Sequence, residues 1–332
     1  MSQNTANSSG LAAEKIPAAN LNLTSSQKHR KTLILLSMVL PGAIWLLLLR
    51  YLPMFGIVMA FQNWQIYYDN PSLVNNIIHS TWVGLQNFQF LFATSDCWTM
   101  LFNTVAYNVA FIILGTVISV GFAVIMSELT TKRLMKTYQT MMFFPFFMSW
   151  VVASYFLYAF LAPDDGLLVH LFKSLEITQT GWYNDVRPWP YLIIFANMWK
   201  NVGYTVVLYI AVIVGIDSSL YEAGRIDGAS KWQQFRYITL PHLTTIIVVL
   251  LIINVGRIFN SDFGLFFTVP RDSGSLIPVT QVVDTYVYRA LLSTGDVGMS
   301  TAAGLFQSTV GFILILITNA IVRKVEPESA MF

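Results

Sequence analysis

Two polar stripes run through otherwise apolar stretches of this 332-residue chain, and its chemistry would reside there. Asn197, Lys200, Asn201 and Tyr204 stand at i, i+3, i+4 and i+7, so they share one face of a helix. Asn254, Arg257 and Ser261 fall at i, i+3 and i+7 of a second. Asn103, Tyr107 and Asn108 form a shorter set earlier in the chain, and Gln307 and Ser308 another near its end. Amides, hydroxyls and aromatic rings suit a sugar, which offers many hydroxyls and an apolar ring face. The same side chains also hydrogen-bond between membrane helices, and for any single residue both readings stand. For the two longer stripes a solute path is expected, because polar groups inside an apolar span are costly and usually face a cavity.

Binding fits these residues better than catalysis. No Ser/His/Asp or paired-carboxylate arrangement sits in a recognisable motif, and His79 and His170 read as ordinary loop residues. The single cysteine, Cys97, excludes an internal disulfide framework, and no Cys/His cluster has metal-ligand spacing. No Gly-x-x-x-x-Gly-Lys-Ser/Thr phosphate loop is present, so the chain is not expected to bind and hydrolyse ATP by that route. No catalytic residue, metal or cofactor is expected. A net charge of +2 without a long Lys/Arg run gives no sign of a nucleic-acid partner.

The elements that must position the stripes are membrane spans. The chain is 55% hydrophobic and 11% charged, where a soluble domain carries about 25% charged residues. The apolar excess is a surface for lipid, and the expected fold is all-α and integral to the membrane. A span needs about 20 apolar residues. Six are read, at 32–61, 103–126, 141–162, 190–216, 243–260 and 302–322, with Pro41 and Pro53 disturbing the first and Pro145 inside the third. Arg50 can snorkel to headgroups from within the first. The organisation is then a flexible polar tail at 1–31, a transmembrane domain at 32–324 and a short tail at 325–332.

Lys and Arg set the orientation, because they favour the cytoplasmic side. They cluster in the N-terminal tail (Lys28, Arg30, Lys31), after the second span (Lys132, Arg133, Lys136), between the fourth and fifth (Arg225, Lys231, Arg236) and after the sixth (Arg323, Lys324). The loops at 163–189 and 261–301 carry more acids than bases, among them Asp164, Asp165, Glu176 and Asp185. Both termini are therefore expected in the cytoplasm. Trp64, Tyr67, Tyr68, Trp82, Trp182, Tyr183 and Trp189 lie in outer loops, where they suit an interfacial belt or contact with an external partner or a sugar ring.

The charged stretch from Ser219 to Pro241 stands apart. Ser219 with Glu222, and Ser230 with Gln233, have capping-box spacing and mark two helix starts. Gly228 sits where a helix C-terminus favours a residue without Cβ, and Pro241 is expected to close the second helix. Leu220, Ala223 and Ile226 form one apolar face, and Trp232, Phe235 and Ile238 another.

Glu222-Ala223, Asp227-Gly228-Ala229, Phe235, Ile238 and Leu240-Pro241, in this order and spacing, resemble the cytoplasmic EAA loop of binding-protein-dependent ABC importers. Gly224 stands where that family usually carries a second Ala. The region 32–324 looks like a sugar permease of the maltose-type import family. Leu40-Pro41-Gly42, the run from Tyr51 to Gly56 and Ala60-Phe61-Gln62 look like the branch that serves complex oligosaccharides. The resemblance implies a type I permease fold of six spans, with the loop as a coupling helix between the fourth and fifth, seated in a cleft of an ATP-binding subunit. It assigns the ATPase contact to Glu222, Ala223, Gly224, Asp227, Gly228, Ala229, Leu240 and Pro241, with Gly228 permitting the turn. The partners it implies are ATP-binding cassette subunits that use the ATP, a second similar permease, an extracellular solute-binding protein, a carbohydrate substrate and the lipid bilayer, and the location it implies is the cell membrane of a prokaryote. A secondary transporter would need ionisable groups at mid-membrane, for which Lys200 and Arg257 are the candidates and no buried acid is expected. A membrane-embedded enzyme would need a motif that is absent.

Overall fold

The structure, a computed structural model, describes residues 25–65, 72–93, 95–129, 131–163, 165–175, 181–325, 327 and 330. Most of the two tails, and Tyr67, Tyr68, Asp164 and Glu176, lie outside the described residues. Two compact units are distinguished within the chain, Met1–Phe55 and Gly56–Phe332.

In the first unit, helix α1 (Ser25–Leu46) passes into a wider π turn, Leu47–Tyr51, and the 3-10 stretch Leu52–Phe61 begins before the boundary. Pro41 lies inside α1, and Arg50 lies in the π turn. Side chains from Leu33 to Leu52 are largely exposed and apolar. A helix with such a surface is at home in hydrocarbon, because its backbone polar groups are already bonded within the helix.

The second unit is helical apart from an antiparallel pairing of Gln62–Asn63 (β1) with Thr81–Trp82 (β2) among the described residues. Helix α2 (Leu73–His79) lies between the two strands, and the Asn87 amide donates to the Ala60 and Gln62 carbonyls at 3.0 and 2.9 Å. There follow α3 (Gln86–Ala93), α4 (Ser95–Ser127), α5 (Lys132–Phe143), α6 (Trp150–Leu161), α7 (Leu167–Ser174) and α8 (Trp189–Val214). The chain continues through α9 (Ser218–Ile226), α10 (Lys231–Gln234), α11 (Leu240–Gly256), α12 (Ile277–Thr280), α13 (Val283–Thr294) and α14 (Val297–Val325).

Among the described residues, five helices are long and apolar enough to cross a membrane, or six if α5 and α6 together make one span. That pair covers the third span read at 141–162, but as two helices that begin earlier in the chain, at Lys132. Pro145 lies in a 3-10 turn, Phe144–Phe147, and the two helices meet at 102°. Proline lacks the amide donor and its ring crowds the carbonyl four residues back, so α5 cannot continue through it. Met148 is then extended, and Ser149 restarts the chain by accepting from the Val152 amide at 3.3 Å.

The fifth span differs too. Pro241 does not close a helix; it is the second residue of α11, within a helix continuous from Lys231 to Gly256. The π turn Phe235–Thr239 precedes it, with the Leu240 amide bonded to the Phe235 carbonyl. This wider register accommodates the donor that proline lacks, so the helix runs on past the residue instead of ending there.

α4 packs along α8 and α11 along α14, while α5 crosses α8. Two apolar clusters flank these contacts: Trp189, Ile193, Leu265 and Phe266 at the start of α8, and Val206, Tyr209, Ile210 and Leu243 near its end. Small residues set the closest approaches, as is usual where lipid leaves no hydrophobic drive between helices. A Cβ on Gly203 would overlap the Met142 carbonyl of α5, and one on Gly311 would overlap the Gly256 carbonyl of α11. Gly203→Val should therefore force α5 and α8 apart, costing about 1–3 kcal/mol as overpacked cores do; thermal unfolding of the detergent-solubilised protein measures it, beside Gly121→Val as an uncrowded control.

Candidate functional site

The two polar stripes meet at a cavity of about 580 Å³ between α4, α8 and the end of α11. Asn197, Asn201 and Tyr204 line it from α8, and Asn254, Arg257 and Ser261 from the other side. Asn108, Thr116 and Ser119 of α4 complete the polar wall. The volume lies within the range of about 300–1,000 Å³ typical of small-molecule sites.

Lys200 is the exception. Its ammonium turns away from the cavity and donates to the Phe146 and Met148 carbonyls at 2.9 and 2.7 Å. These belong to the break between α5 and α6. The cation also sits 5.6 Å from the Phe146 ring centre and 5.4 Å from that of Trp150. Helical spacing places Lys200 beside Asn197 and Asn201, but its long side chain reaches past them to carbonyls the break has left open. Tyr204 stacks on Phe146 at 4.8 Å, so one ring belongs to both the cavity wall and the break.

Ser261 reaches the cavity by a different route from the one its spacing implies. α11 ends at Gly256, and the Arg257 and Asn260 amides close tight turns onto the Asn254 and Arg257 carbonyls at 3.0 and 2.8 Å. Beyond that turn, the Ser261 amide donates to Asp284 at 2.7 Å. The Gln307 amide bonds the same carboxylate at 3.3 Å and the Phe259 carbonyl at 2.7 Å. Asp284 is thus a half-buried acid where none was expected. Burial pushes its carboxyl above the usual range, opposed by the bonds from Ser261 and Gln307. Its position within a polar loop hid this in the sequence. Ser119 was also missed, although Asn108, Gly115 and Ser119 share a helix face at i, i+7 and i+11.

Asn103 and Tyr107 serve packing. The Asn103 amide donates to the Pro278 and Gln281 carbonyls, each at 3.0 Å, and the Tyr107 hydroxyl to Val279 at 2.8 Å.

The charged stretch forms two short helices joined by a turn. Asp217, not Ser219, caps α9: its carboxylate accepts from the Ser219 amide at 3.0 Å, and that bond holds the carboxyl below its ordinary range. Ser230 and Gln233 form the expected capping box on α10. Between them Gly228 adopts φ 77°, its amide bonding the Arg225 carbonyl at 3.1 Å and the Ala229 amide the Gly224 carbonyl at 2.8 Å. This is the Schellman pairing, and it satisfies carbonyls the helix end leaves open. Tyr221 and Thr239 hydroxyls, 2.9 Å apart, tie α9 to the π turn, and Lys231 pairs with Glu128 at the end of α4. Glu222, Ala223 and Asp227 are exposed, Ala229 and Leu240 half-buried, and Pro241 exposed. Leu220, Ile226 and Trp232 are exposed at 43%, 86% and 66%, whereas Phe235 packs beside Leu243.

Apolar helices around a polar, solute-sized cavity define a membrane permease. Residues 115–327 match the family of binding-protein-dependent transport system inner membrane components, and the chain belongs to that family. It is 32% identical over 330 residues to the polygalacturonan/rhamnogalacturonan transport system permease protein YteP of Bacillus subtilis, covering 96% of this chain and 98% of that one. It is 30% identical over 301 residues to protein LplB of the same organism, with 91% of each covered. A solved bacterial ABC transporter involved in import of the acidic polysaccharide alginate contains a similar chain, with TM-score 0.80 and 26% identity, covering 91% of this chain and 99% of that one.

Two outcomes follow. Lys200→Met leaves the break carbonyls without their cation and should lower the melting temperature of the purified protein, Lys200→Gln less so. A Cβ on Gly224 would meet Ile238 at 3.4 Å and Ala229 at 3.8 Å, which is ordinary contact. Gly224→Ala should therefore stabilise α9 by about 0.5–1 kcal/mol through helix propensity, read as slower amide exchange across Ser218–Ile226.

Proposed function

We propose that this permease forms half of the membrane path of an ATP-driven carbohydrate importer. The observation that carries the proposal is the cavity, in which both polar stripes present amides, hydroxyls and a tyrosine to one solute-sized space. The names of its relatives, which speak of polygalacturonan and alginate, favour an oligosaccharide as the solute. A second, similar permease supplies the other half of the path. A related alginate transporter was solved in complex with a pentasaccharide-bound periplasmic protein, which supports delivery here by an extracellular solute-binding protein.

In this reading the bent pair α5–α6 is one span, giving six, with both termini in the cytoplasm. Arg225, Lys231 and Arg236 beside the turn, and Arg323 and Lys324 in the last turn of α14, agree with that orientation. α9 is the coupling helix. Its exposed Glu222 and Asp227, with the uncovered Leu220, Ile226 and Trp232, offer a mixed polar and apolar seat for an ATP-binding subunit. Gly224, Gly228 and Ala229 shape the turn behind that seat, and Leu240 and Pro241 lead it into the fifth span.

Reconstituting the permease pair with ATP-binding subunits and a solute-binding protein in proteoliposomes tests the proposal. Uptake of oligosaccharide should require ATP, and uptake driven by an ion gradient alone would overturn it. A Cβ at Gly228 meets nothing, so Gly228→Val perturbs only the backbone, by about 1–2 kcal/mol for a left-handed residue with a side chain. This variant should lose sugar-stimulated ATP hydrolysis while remaining in the membrane. Undiminished stimulation would remove α9 from the coupling role.

A further inference from the structure

The charges around the cavity do not cancel where a solute would lie. Arg257 and Asp262 are the charged residues lining it among the described residues. Asp262 is already engaged: the Trp150 indole donates to one carboxylate oxygen, and the Gly264 amide to the other at 3.1 Å. Lys200 faces the break between α5 and α6, and Asp284 is held by Ser261 and Gln307. Arg257 is exposed, and none of the ion pairs or side-chain hydrogen bonds among the described residues involves its guanidinium. Asn254 stands one turn before it, and Asn197 and Asn201 line the facing wall. Ser119 and Ser261 also line this space, with hydroxyl oxygens that are buried and meet no hydrogen-bond partner.

We infer that Arg257 is a specificity-determining residue that binds a carboxylate, so that the solute is an acidic oligosaccharide containing uronate sugars. A guanidinium presents paired donors in the plane that a carboxylate accepts, and such charge-assisted bonds are about twice as strong as neutral ones. The surrounding amides and hydroxyls can meet the sugar hydroxyls but hold no second cation, so one carboxylate at a time is matched. A neutral sugar would leave the guanidinium without an ionic partner. The inference rests on the carbohydrate reading above.

The test uses the reconstituted complex with two probes, trigalacturonate and its fully methyl-esterified form, which differ in charge but share the ring hydroxyls. One solute-binding protein serves every variant, so its own preference cancels between them. The wild type should take up the acid in preference to the ester, and Arg257→Gln should lower the acid-to-ester ratio at least about tenfold, as loss of a charged hydrogen bond does. Asn254→Asp, which sets a competing carboxylate one turn from Arg257 with almost no change in volume, should lower the ratio as well and decides the matter if Arg257→Gln does not assemble. Unchanged ratios in the variants that assemble would overturn the role of Arg257 while leaving a carbohydrate permease in place. Wild-type uptake of neither probe, nor of a neutral oligosaccharide, would overturn the carbohydrate reading itself.

Discussion

A bilayer offers no water to a broken helix, so every carbonyl that a break exposes must find a partner inside the protein. The junction of α5 and α6 meets that demand with Lys200, whose ammonium bonds the Phe146 and Met148 carbonyls from the adjacent α8. The arrangement locks the bent segment to α8. It also places Phe146 against Tyr204, on the cavity wall, and Trp150 beside Asp262, which ends the turn after α11. The cavity therefore takes its shape from how the break is satisfied. The Lys200 cation, whose spacing places it on the polar stripe, supports the wall instead.

The other end of the molecule uses the same economy of backbone bonding. Gly228 accepts a left-handed turn, the two amides at the turn close onto the end of α9, and the π turn at Phe235–Thr239 carries the chain past Pro241 without ending the helix. As a result α10 and α11 form a continuous helix, from Lys231 beside the turn to Gly256, two residues past Asn254 in the cavity wall. Tyr221 bonds α9 to that helix through Thr239. α9 is thereby joined, through Thr239 and one continuous helix, to the residues of the cavity wall.

Helical spacing identified most of the cavity wall, because residues at i, i+4 and i+7 must share a face whatever surrounds the helix. Asn197, Asn201 and Tyr204 lie together for that reason. The rule says nothing about reach, and Lys200 shows why: four methylenes carry its charge to a neighbouring element. It also assumes that the helix continues. For Ser261 the helix has already ended, and a turn bonded to Asp284 returns the residue to the cavity. Asp217 displaced Ser219 as the cap because helix starts tolerate shifts of a residue or two, and Ser219 is already the second residue of α9.

The amino-acid sequence by itself determined that this chain is helical and faces lipid, since apolar runs of span length with so few charges have no other stable surface. It also determined the turn at Gly228, where local backbone geometry excludes most side chains, and the EAA-like pattern around it. Tertiary structure alone decided which polar groups remain free. A hydrogen bond depends on where another helix lies, and nothing in the local pattern specifies that. Asn103, Lys200 and Gln307 were taken up by carbonyls of neighbouring segments, whereas Arg257, with the same kind of spacing, was left facing the cavity.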